Sequence, residues 1–397
     1  MENFPEKILA AVFVTALMPG PTLNVTEVYN ESCSAVLPEL DNCVTYDNGP
    51  TNPPTTLILG PKYLATNVYQ LSPIEDWTMA TKLVRPLYLY RAEDVSKEIV
   101  LSRERALHSP QDITIRLVVR QYNDNIICSN SKFSSQYYAN LSGPNNFVLV
   151  HTGCHGAWSW YKIVELMTSS GHNVTAIDLG ASGNNPKQAL EIPSFFDYLS
   201  PLMEFMASLP AHKKVVLVGH SLGGLAISKA METFPEKISS AVFVTALMPG
   251  PTLNASIVYT QSCSAVLPEL DNRVTYDNGP TSPPTTLILG SKFLASNLYQ
   301  LSPIKDWTMA TKLVRPLYLY HAEDVSKEIV LSRKRYGSVR RVFIVATESK
   351  AFNKEFQRWM IENNPPNEVE EISGSDHMIM MSKPQQLFTT LLRIANK

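Results

Sequence analysis

Short apolar runs alternate with amphipathic stretches along residues 145–397. The apolar runs lie at 147–151, 173–179, 215–218, 241–247, 342–346 and 368–372. Stretches of helical character separate most of them, at 158–170, 194–209, 222–234, 353–363 and after Pro384. Parallel strands need long crossovers, usually helical, so this order predicts an α/β domain with a mostly parallel sheet and helices on both faces.

A long internal repeat precedes this domain. Residues 1–105 match residues 231–335 at a constant offset, and only 17 of the 105 positions differ. Two copies separated by unrelated sequence do not form a solenoid, which needs at least three mutually burying units. We therefore expect a partial repeat at 1–105 without activity of its own, a poorly ordered linker at 106–144, and a complete domain at 145–397.

The stretch 250–335 interrupts the alternation of strands and helices. It is rich in proline and tyrosine, contains NGPTSPPTT and lies between two predicted strands. This position predicts an insertion that folds over the carboxyl edge of the sheet as a cap. Residues 1–105 would then copy one strand and the cap, without the segments that complete a core.

Composition excludes several classes of protein. Apolar residues make up 44% of the chain and charged residues 18%, which excludes wholesale disorder. Thirty-four basic and 36 acidic residues give a net charge of −2, which offers no electrostatic reason to expect nucleic acid or a membrane as partner. Five cysteines without a C-x-x-C pair indicate a reduced, cytoplasmic protein, and no motif suggests a metal or cofactor.

The segment VVLVGHSLGG, which begins at residue 215, carries the strongest chemical signal. Within it, Gly219-His-Ser-Leu-Gly223 is a G-x-S-x-G nucleophile elbow, with an apolar strand before it and a helix after it. This turn would expose Ser221 at a helix N-terminus. There the helix dipole and the backbone N–H of Leu222 favour developing negative charge.

A base and a second oxyanion donor are expected elsewhere in the chain. His377 follows the last predicted strand and precedes the last helix, which is where this topology delivers its base. The loop His151-Thr-Gly-Cys-His-Gly156 follows the first strand, and the N–H of Gly153 is the natural partner of the Leu222 N–H. Cys154 and His155 are expected to be structural, and His321, in the cap, to lie at the surface.

The third member of a Ser-His-acid triad is hard to find. The acid should follow strand 342–346, where the loop reads Thr347-Glu-Ser-Lys-Ala351 and offers only Glu348. Asp376 adjoins His377, but neighbouring side chains usually point apart. The sequence therefore leaves open whether Glu348, or no carboxylate, orients the histidine.

These residues together resemble the plant methylesterase and hydroxynitrile lyase family of α/β-hydrolases, especially its methylketone synthase I-like members. The resemblance covers 145–397 and rests on FVLVHTGCHGAW, DLGASG, VVLVGHSLGG, EFQRW and SDHM. It implies an α/β-hydrolase fold in which Ser221 is the nucleophile, His377 the base, and Gly153 and Leu222 the oxyanion donors.

The resemblance also shows departures from the esterase pattern. It places Thr152 and His220 at the substrate pocket and puts Ser349 at the family's acid position. At position 152 this chain resembles the lyases and methylketone synthases, which also have threonine there. At position 221 it resembles the esterases, which keep the serine. Hydroxynitrile lyases have Lys after the histidine and Glu before the serine. Met378 and His220 stand there in this chain, which argues against cyanohydrin chemistry.

Three functions follow from these expectations. The first is a serine esterase for small methyl esters such as methyl salicylate, methyl jasmonate or methyl indole-acetate. The second is a β-keto acid decarboxylase, which needs neither a strong nucleophile nor an acid. The third is a non-catalytic binder of a small apolar acid. Each takes a small-molecule ester or acid as partner, and the resemblance suggests a homodimer.

Overall fold

The computed structural model describes residues 42–45, 56–68, 70, 87–88, 145–266 and 270–397. The chain divides into two units, one formed by 1–72 and 84–137 and the other by 73–83 and 138–397. The expected linker at 106–144 lies outside the described residues.

The described part of the first unit is a small antiparallel sheet. Its strands are β1 (Cys43–Thr45), β2 (Thr56–Ile58) and β3 (Leu87–Tyr88), with β2 in the centre. A short helical segment, Pro61–Tyr63, continues into a π-helical turn at Leu64–Val68. Every one of these elements recurs 230 residues later with the same bounds, because the sequence is copied.

The second unit is built on a six-stranded parallel sheet. Its strands are β4 (Asn146–Val150), β5 (Asn173–Ile177), β6 (Val215–His220), β7 (Ile238–Val244), β11 (Arg341–Ala346) and β12 (Glu368–Ile372). Their order across the sheet is β12-β11-β7-β6-β4-β5, and all neighbours are parallel. The carboxyl ends of β4, β6, β11 and β12 therefore meet at one edge, which is where open α/β sheets bind ligands.

Helices cover both faces of this sheet, as the sequence predicts. The described helices of this unit include α1 (Tyr161–Ser169), α2 (Phe195–Ser208), α3 (Gly223–Thr233), α4 (Ala255–Val266), α5 (Ile304–Leu313), α6 (Ala322–Glu328), α7 (Lys354–Asn363), α8 (Ile379–Ser382) and α9 (Pro384–Ala395). Alternate residues of β4 enter two separate cores. Phe147 and Leu149 pack with α1 and α9, whereas Val148 and Val150 pack with α2 and α3.

The ends of the helices agree with the signals in the sequence. The side chain of Asn353 accepts a hydrogen bond from the N–H of Phe356 and caps α7, and Ser194 caps α2 through the N–H of Phe196. Four 3-10 turns are also present in the described residues of this unit. They lie at Ala157–Trp160, Ala189–Glu191, Pro235–Lys237 and Tyr336–Ser338.

The described residues of 250–335 add no strand to the parallel sheet, and their apolar side chains join both of its cores. This stretch holds α4, α5, α6 and a second antiparallel sheet made of β8 (Arg273–Thr275), β9 (Thr286–Ile288) and β10 (Leu317–Tyr318). A short helix at Ser291–Phe293 and a π-helical turn at Leu294–Leu298 follow β9. Across all the described ranges, no helix has the length and apolar character needed to cross a bilayer.

Candidate active site

Ser221 occupies a sharp turn between β6 and α3. Its φ of 52° is in the left-handed region, which residues other than glycine and asparagine rarely adopt. The turn is fixed because the carbonyl oxygen of Ser221 accepts hydrogen bonds from the N–H groups of Gly224, at 3.0 Å, and Leu247, at 2.9 Å. A strained backbone held in place by its surroundings is typical of functional sites.

Glycines allow α3 to start directly behind this turn. A Cβ atom on Gly223 would lie 2.6 Å from the carbonyl oxygen of His151, and one on Gly224 would overlap the carbonyl group of Leu247. Both obstacles are backbone carbonyl groups, which cannot shift aside in the way that the end of a flexible side chain can. The Gly-Gly pair after Ser221 therefore positions the helix N-terminus against the loop that follows β4.

We expect Gly224→Ala to destabilise the protein by about 3 kcal/mol, because the added methyl group must displace the backbone of Leu247. Gly337→Ala is a matched control, since its Cβ would meet no atom closer than 3.7 Å. Urea unfolding of both variants checks the prediction. Equal stability of the two would contradict it.

The two expected oxyanion donors lie close to each other in the fold. Gly153, after β4, and Leu222, after the elbow, are close neighbours: a Cβ on Gly153 would be 3.1 Å from the Cδ2 of Leu222. Both residues line the same cavity as Ser221. Within the described part of the chain, neither N–H donates a hydrogen bond to a backbone carbonyl oxygen. Two unpartnered donors beside a hydroxyl can stabilise an oxyanion.

His155 supports the Gly153 loop from behind. Its Nδ1 lies 3.0 Å from the carbonyl oxygen of Gly153, and its Nε2 lies 2.9 Å from the hydroxyl of Tyr299. The ring stacks between Trp158 and Tyr299. Burial lowers the pKa of His155 to about 4, so the ring is neutral. These contacts fit the structural role expected for this residue.

His377 reaches the same cavity from the loop between β12 and α8. Its Nδ1 lies 3.0 Å from the hydroxyl oxygen of Ser349, which also accepts the N–H of Phe352 at 3.1 Å. Among the described residues no hydrogen bond joins Ser221 to His377, although both line one cavity. Contacts of this kind often tighten only when substrate is bound.

The two carboxylates near His377 point elsewhere. Glu348 is exposed, and its backbone rather than its carboxylate makes the recorded hydrogen bonds. Oδ2 of Asp376 accepts hydrogen bonds from the N–H of Leu301 and the hydroxyl of Ser302. Burial raises the pKa of Asp376 above its ordinary value. The group at Nδ1 of His377 is therefore a serine hydroxyl, not the substitute carboxylate that Glu348 could have supplied.

The structure does not place His220 in the wall of the cavity, which corrects the expectation from sequence. His220 is the last residue of β6 and is fully buried. Its Nε2 lies 2.9 Å from the carbonyl oxygen of His377, and its ring packs 4.9 Å from the His377 ring. Strand alternation explains the error, because successive side chains face opposite ways. His220 thus holds the backbone of His377.

The cavity is apolar apart from a few groups at its base. It contains about 610 Å³ of empty space, part of which is open to solvent. Thr152, Ser221 and His377 supply its polar groups near the elbow. The cap and the β11 loop supply residues that the sequence analysis did not identify: Tyr259, Ser262, Cys263, Leu287, Leu289, Phe293, Leu298, Leu317, Leu319, Ala351 and Phe352.

Four buried histidines surround this site. Burial lowers the pKa of His377 to about 3, with a smaller contribution from His155, and also lowers the pKa values of His151 and His220. All four rings are therefore neutral at neutral pH. A neutral imidazole can exchange a proton with a bound substrate without first losing one to water.

The buried histidines make stability depend on pH. Below pH 6.5 these histidines become protonated in the unfolded chain but stay neutral in the folded chain. The free energy of unfolding therefore falls as pH falls. We expect a loss of about 2 kcal/mol for each of His155 and His377 between pH 6.5 and about pH 5. Urea unfolding across this window checks it. His155→Gln should flatten the dependence, whereas His212→Gln, at an exposed residue, should not.

The described residues contain no group of three or more His, Cys, Asp or Glu side chains arranged to hold a metal ion. Cys154 and Cys263 are free thiols, and both line the cavity. Burial raises the pKa of Cys154 to about 12, so this thiol is a poor nucleophile.

Comparisons with known proteins agree with the fold. A model of the alpha/beta hydrolase family matches residues 147–390. Methyl jasmonate esterase 1 of Vitis vinifera is 51% identical over 255 residues, which are 63% of this chain and 96% of that protein. Salicylic acid-binding protein 2 of Nicotiana tabacum is 48% identical over 254 residues, 64% and 97% of the two chains.

Solved structures give the same picture. The crystal structure of tomato methylketone synthase I complexed with 2-tridecanone is 74% identical with a TM-score of 0.63, and covers 64% of this chain and 99% of its own. The matched family model spans more than half of the sequence, and the parallel sheet, the elbow and the relatives all agree. The chain therefore belongs to the α/β-hydrolase family, in its plant methylesterase-like branch.

Proposed function

We propose that this chain is a serine carboxylesterase that hydrolyses small methyl esters. The observation that carries the proposal is the convergence of the Ser221 hydroxyl, the N–H groups of Gly153 and Leu222, and the neutral ring of His377 on one apolar cavity. The names of the relatives, a methyl jasmonate esterase and a salicylic acid-binding protein, support methyl jasmonate, methyl salicylate or methyl indole-acetate as substrates.

The proposed reaction has two steps. The oxygen of Ser221 attacks the ester carbonyl while Nε2 of His377 takes the hydroxyl proton, and the N–H groups of Gly153 and Leu222 bind the oxyanion. Collapse of the tetrahedral intermediate releases methanol, which receives the proton from His377. A water activated by His377 then splits the acyl-enzyme and frees the acid and Ser221.

Ser349 sets the expected rate. A serine hydroxyl cannot stabilise an imidazolium as a carboxylate does. Loss of the triad acid lowers kcat by about 10⁴-fold, yet leaves a large acceleration over water. The proposal is therefore a slow esterase rather than an inactive protein.

The test is covalent capture of the nucleophile. The purified protein should form one adduct with a fluorophosphonate, located at Ser221 by peptide mass spectrometry, and should release acid from methyl jasmonate or methyl salicylate. Ser221→Ala should form no adduct. An unlabelled Ser221 together with no ester turnover would reject the proposal. Saturable binding of salicylate without turnover would instead indicate a binding protein.

A second function, decarboxylation of β-keto acids, is favoured by one specific observation. Thr152 and His377 both line the cavity. The group that contacts Nδ1 of His377 is the Ser349 hydroxyl, not a carboxylate. Decarboxylation needs donors that stabilise the enolate as CO₂ leaves, and it needs no triad acid. The likeness to tomato methylketone synthase I supports this alternative. Turnover of a 3-keto acid that persists in Ser221→Ala would establish it.

We further propose a homodimer in the cytoplasm. The small number of cysteines and the near-neutral net charge support a cytoplasmic location. The likeness to plant methylesterases supports the dimer. Light scattering of the purified chain and fractionation of plant tissue test the two statements separately. A monomer, or a chain recovered only from a membrane fraction, would contradict them.

A further inference from the structure

The protons on the buried histidines of this site can be assigned from their partners. A backbone N–H only donates and a carbonyl oxygen only accepts. Nε2 of His151 receives the N–H of Leu179 while its Nδ1 faces the carbonyl oxygen of Thr152, so His151 carries its proton on Nδ1. By the same rule His155 is protonated on Nδ1 and His220 on Nε2, since their partners there are carbonyl oxygens.

His377 differs because its Nδ1 faces a hydroxyl, which can donate or accept. The oxygen of Ser349 has two partners among the described residues, the N–H of Phe352 and Nδ1 of His377. The N–H of Phe352 uses one acceptor position of this oxygen. The hydroxyl proton of Ser349 then has one recorded acceptor, which is Nδ1 of His377.

Counting hydrogen bonds distinguishes the two tautomers. With the proton on Nδ1, the oxygen of Ser349 accepts two hydrogen bonds and its own O–H is buried without an acceptor. With the proton on Nε2, the O–H of Ser349 donates to Nδ1, and the hydroxyl still accepts the N–H of Phe352. Ser349 is only 5% exposed, so an unsatisfied O–H would not be rescued by bulk water.

We propose that Ser349 is a positioning residue that holds His377 in the Nε2–H tautomer, so that the resting site presents a hydrogen-bond donor to the cavity. This inference deepens the proposed esterase function and rests on it for its kinetic consequence. Attack by Ser221 needs an unprotonated Nε2, and an aspartate at position 349 would enforce that form by accepting Nδ1–H. Ester hydrolysis by this chain therefore requires the minor tautomer.

Nitrogen NMR on protein labelled with ¹⁵N-histidine tests the tautomer directly, because an unprotonated ring nitrogen resonates far downfield of a protonated one. Signals of His377 are identified by their loss in His377→Gln. We expect an unprotonated Nδ1 and a protonated Nε2 for His377 at neutral pH. His151 and His220 serve as internal standards for the two opposite tautomers. A protonated Nδ1 on His377, or equal populations, would overturn the proposal.

Two variants test the role of Ser349. Ser349→Asp should move the proton of His377 to Nδ1 and raise kcat for methyl esters by about 10²-fold or more. Ser349→Thr keeps a hydroxyl and should retain the Nε2–H spectrum of the original chain. If Ser349→Asp fails to fold, the spectrum of the unmodified chain still decides. An Nε2–H spectrum with no adduct at Ser221 and no ester turnover would reject the esterase and keep the tautomer assignment.

Discussion

Replacing Ser221 with alanine is expected to lower kcat for methyl ester hydrolysis by about 10²-fold, to the level supported by the oxyanion donors alone. The loss is smaller than in a complete triad because the three residues act as a unit. With Ser349 in place of the acid, much of the contribution of the unit is already absent. Initial rates with methyl jasmonate or methyl salicylate measure the effect.

The same substitution should cost more once the triad is restored. In a Ser349→Asp background we expect Ser221→Ala to lower kcat by about 10⁴-fold or more, since the serine then works with an oriented base. Ser264→Ala, at an exposed serine of α4, is the control and should leave both rates unchanged. Equal losses in the two backgrounds would mean that Ser221 and His377 do not act together.

Sequence alone predicts the scaffold of this site well. The strand at Glu368–Ile372 has the predicted bounds, and the elbow around Ser221 lies between β6 and α3 as expected. These features are local: a run of β-branched residues, a Gly-rich turn or a capping asparagine acts on its own neighbours in the chain. The family to which the chain belongs could be recognised from the same segments.

The missed features depend on contacts between distant segments. Motif reasoning alone offers only Glu348 in Thr347–Ala351, whereas the family resemblance places Ser349 at the acid position. Ser349 meets His377 because β11 and β12 are neighbours in the sheet. His220 adjoins Ser221 in sequence yet lies behind the cavity, because the strand turns it away. The leucines of the cap, such as Leu287, follow no chemical motif, so only the folded chain identifies them as cavity residues.

A buried ion pair joins α5 of the 250–335 stretch to α1 of the sheet layer. Nζ of Lys162 lies 2.6 Å from Oδ2 of Asp306, and the other carboxylate oxygen accepts the hydroxyl of Tyr161 at 2.7 Å. Nζ also donates to the carbonyl oxygen of Met381 at 3.2 Å. The side chains of Lys162 and Asp306 are 10% and 1% exposed. Water can therefore replace neither partner.

Asp306→Ala is expected to lower the free energy of unfolding by about 3–5 kcal/mol, because it leaves the ammonium group of Lys162 buried without its counter-charge. Lys162→Met should cost a similar amount by stranding the carboxylate. The double variant Lys162→Met/Asp306→Leu removes both charges and should recover most of the loss, since an apolar pair needs no desolvation of charge. Additive losses in the double variant, measured by urea unfolding, would contradict this coupling.

Loss of the ion pair should also change the shape of the cavity. The segment just before α5 supplies the cavity residue Leu298 and the Tyr299 hydroxyl that contacts His155. We expect Asp306→Ala to raise KM for methyl esters more than it lowers kcat, since residues of the 250–335 stretch line the cavity, whereas Ser221 and His377 follow strands of the parallel sheet. Lys327→Ala, which removes an exposed ion pair with Asp324, is the matched control and should change neither stability nor KM appreciably. A fall in kcat at constant KM would place the effect of α5 on the catalytic residues instead.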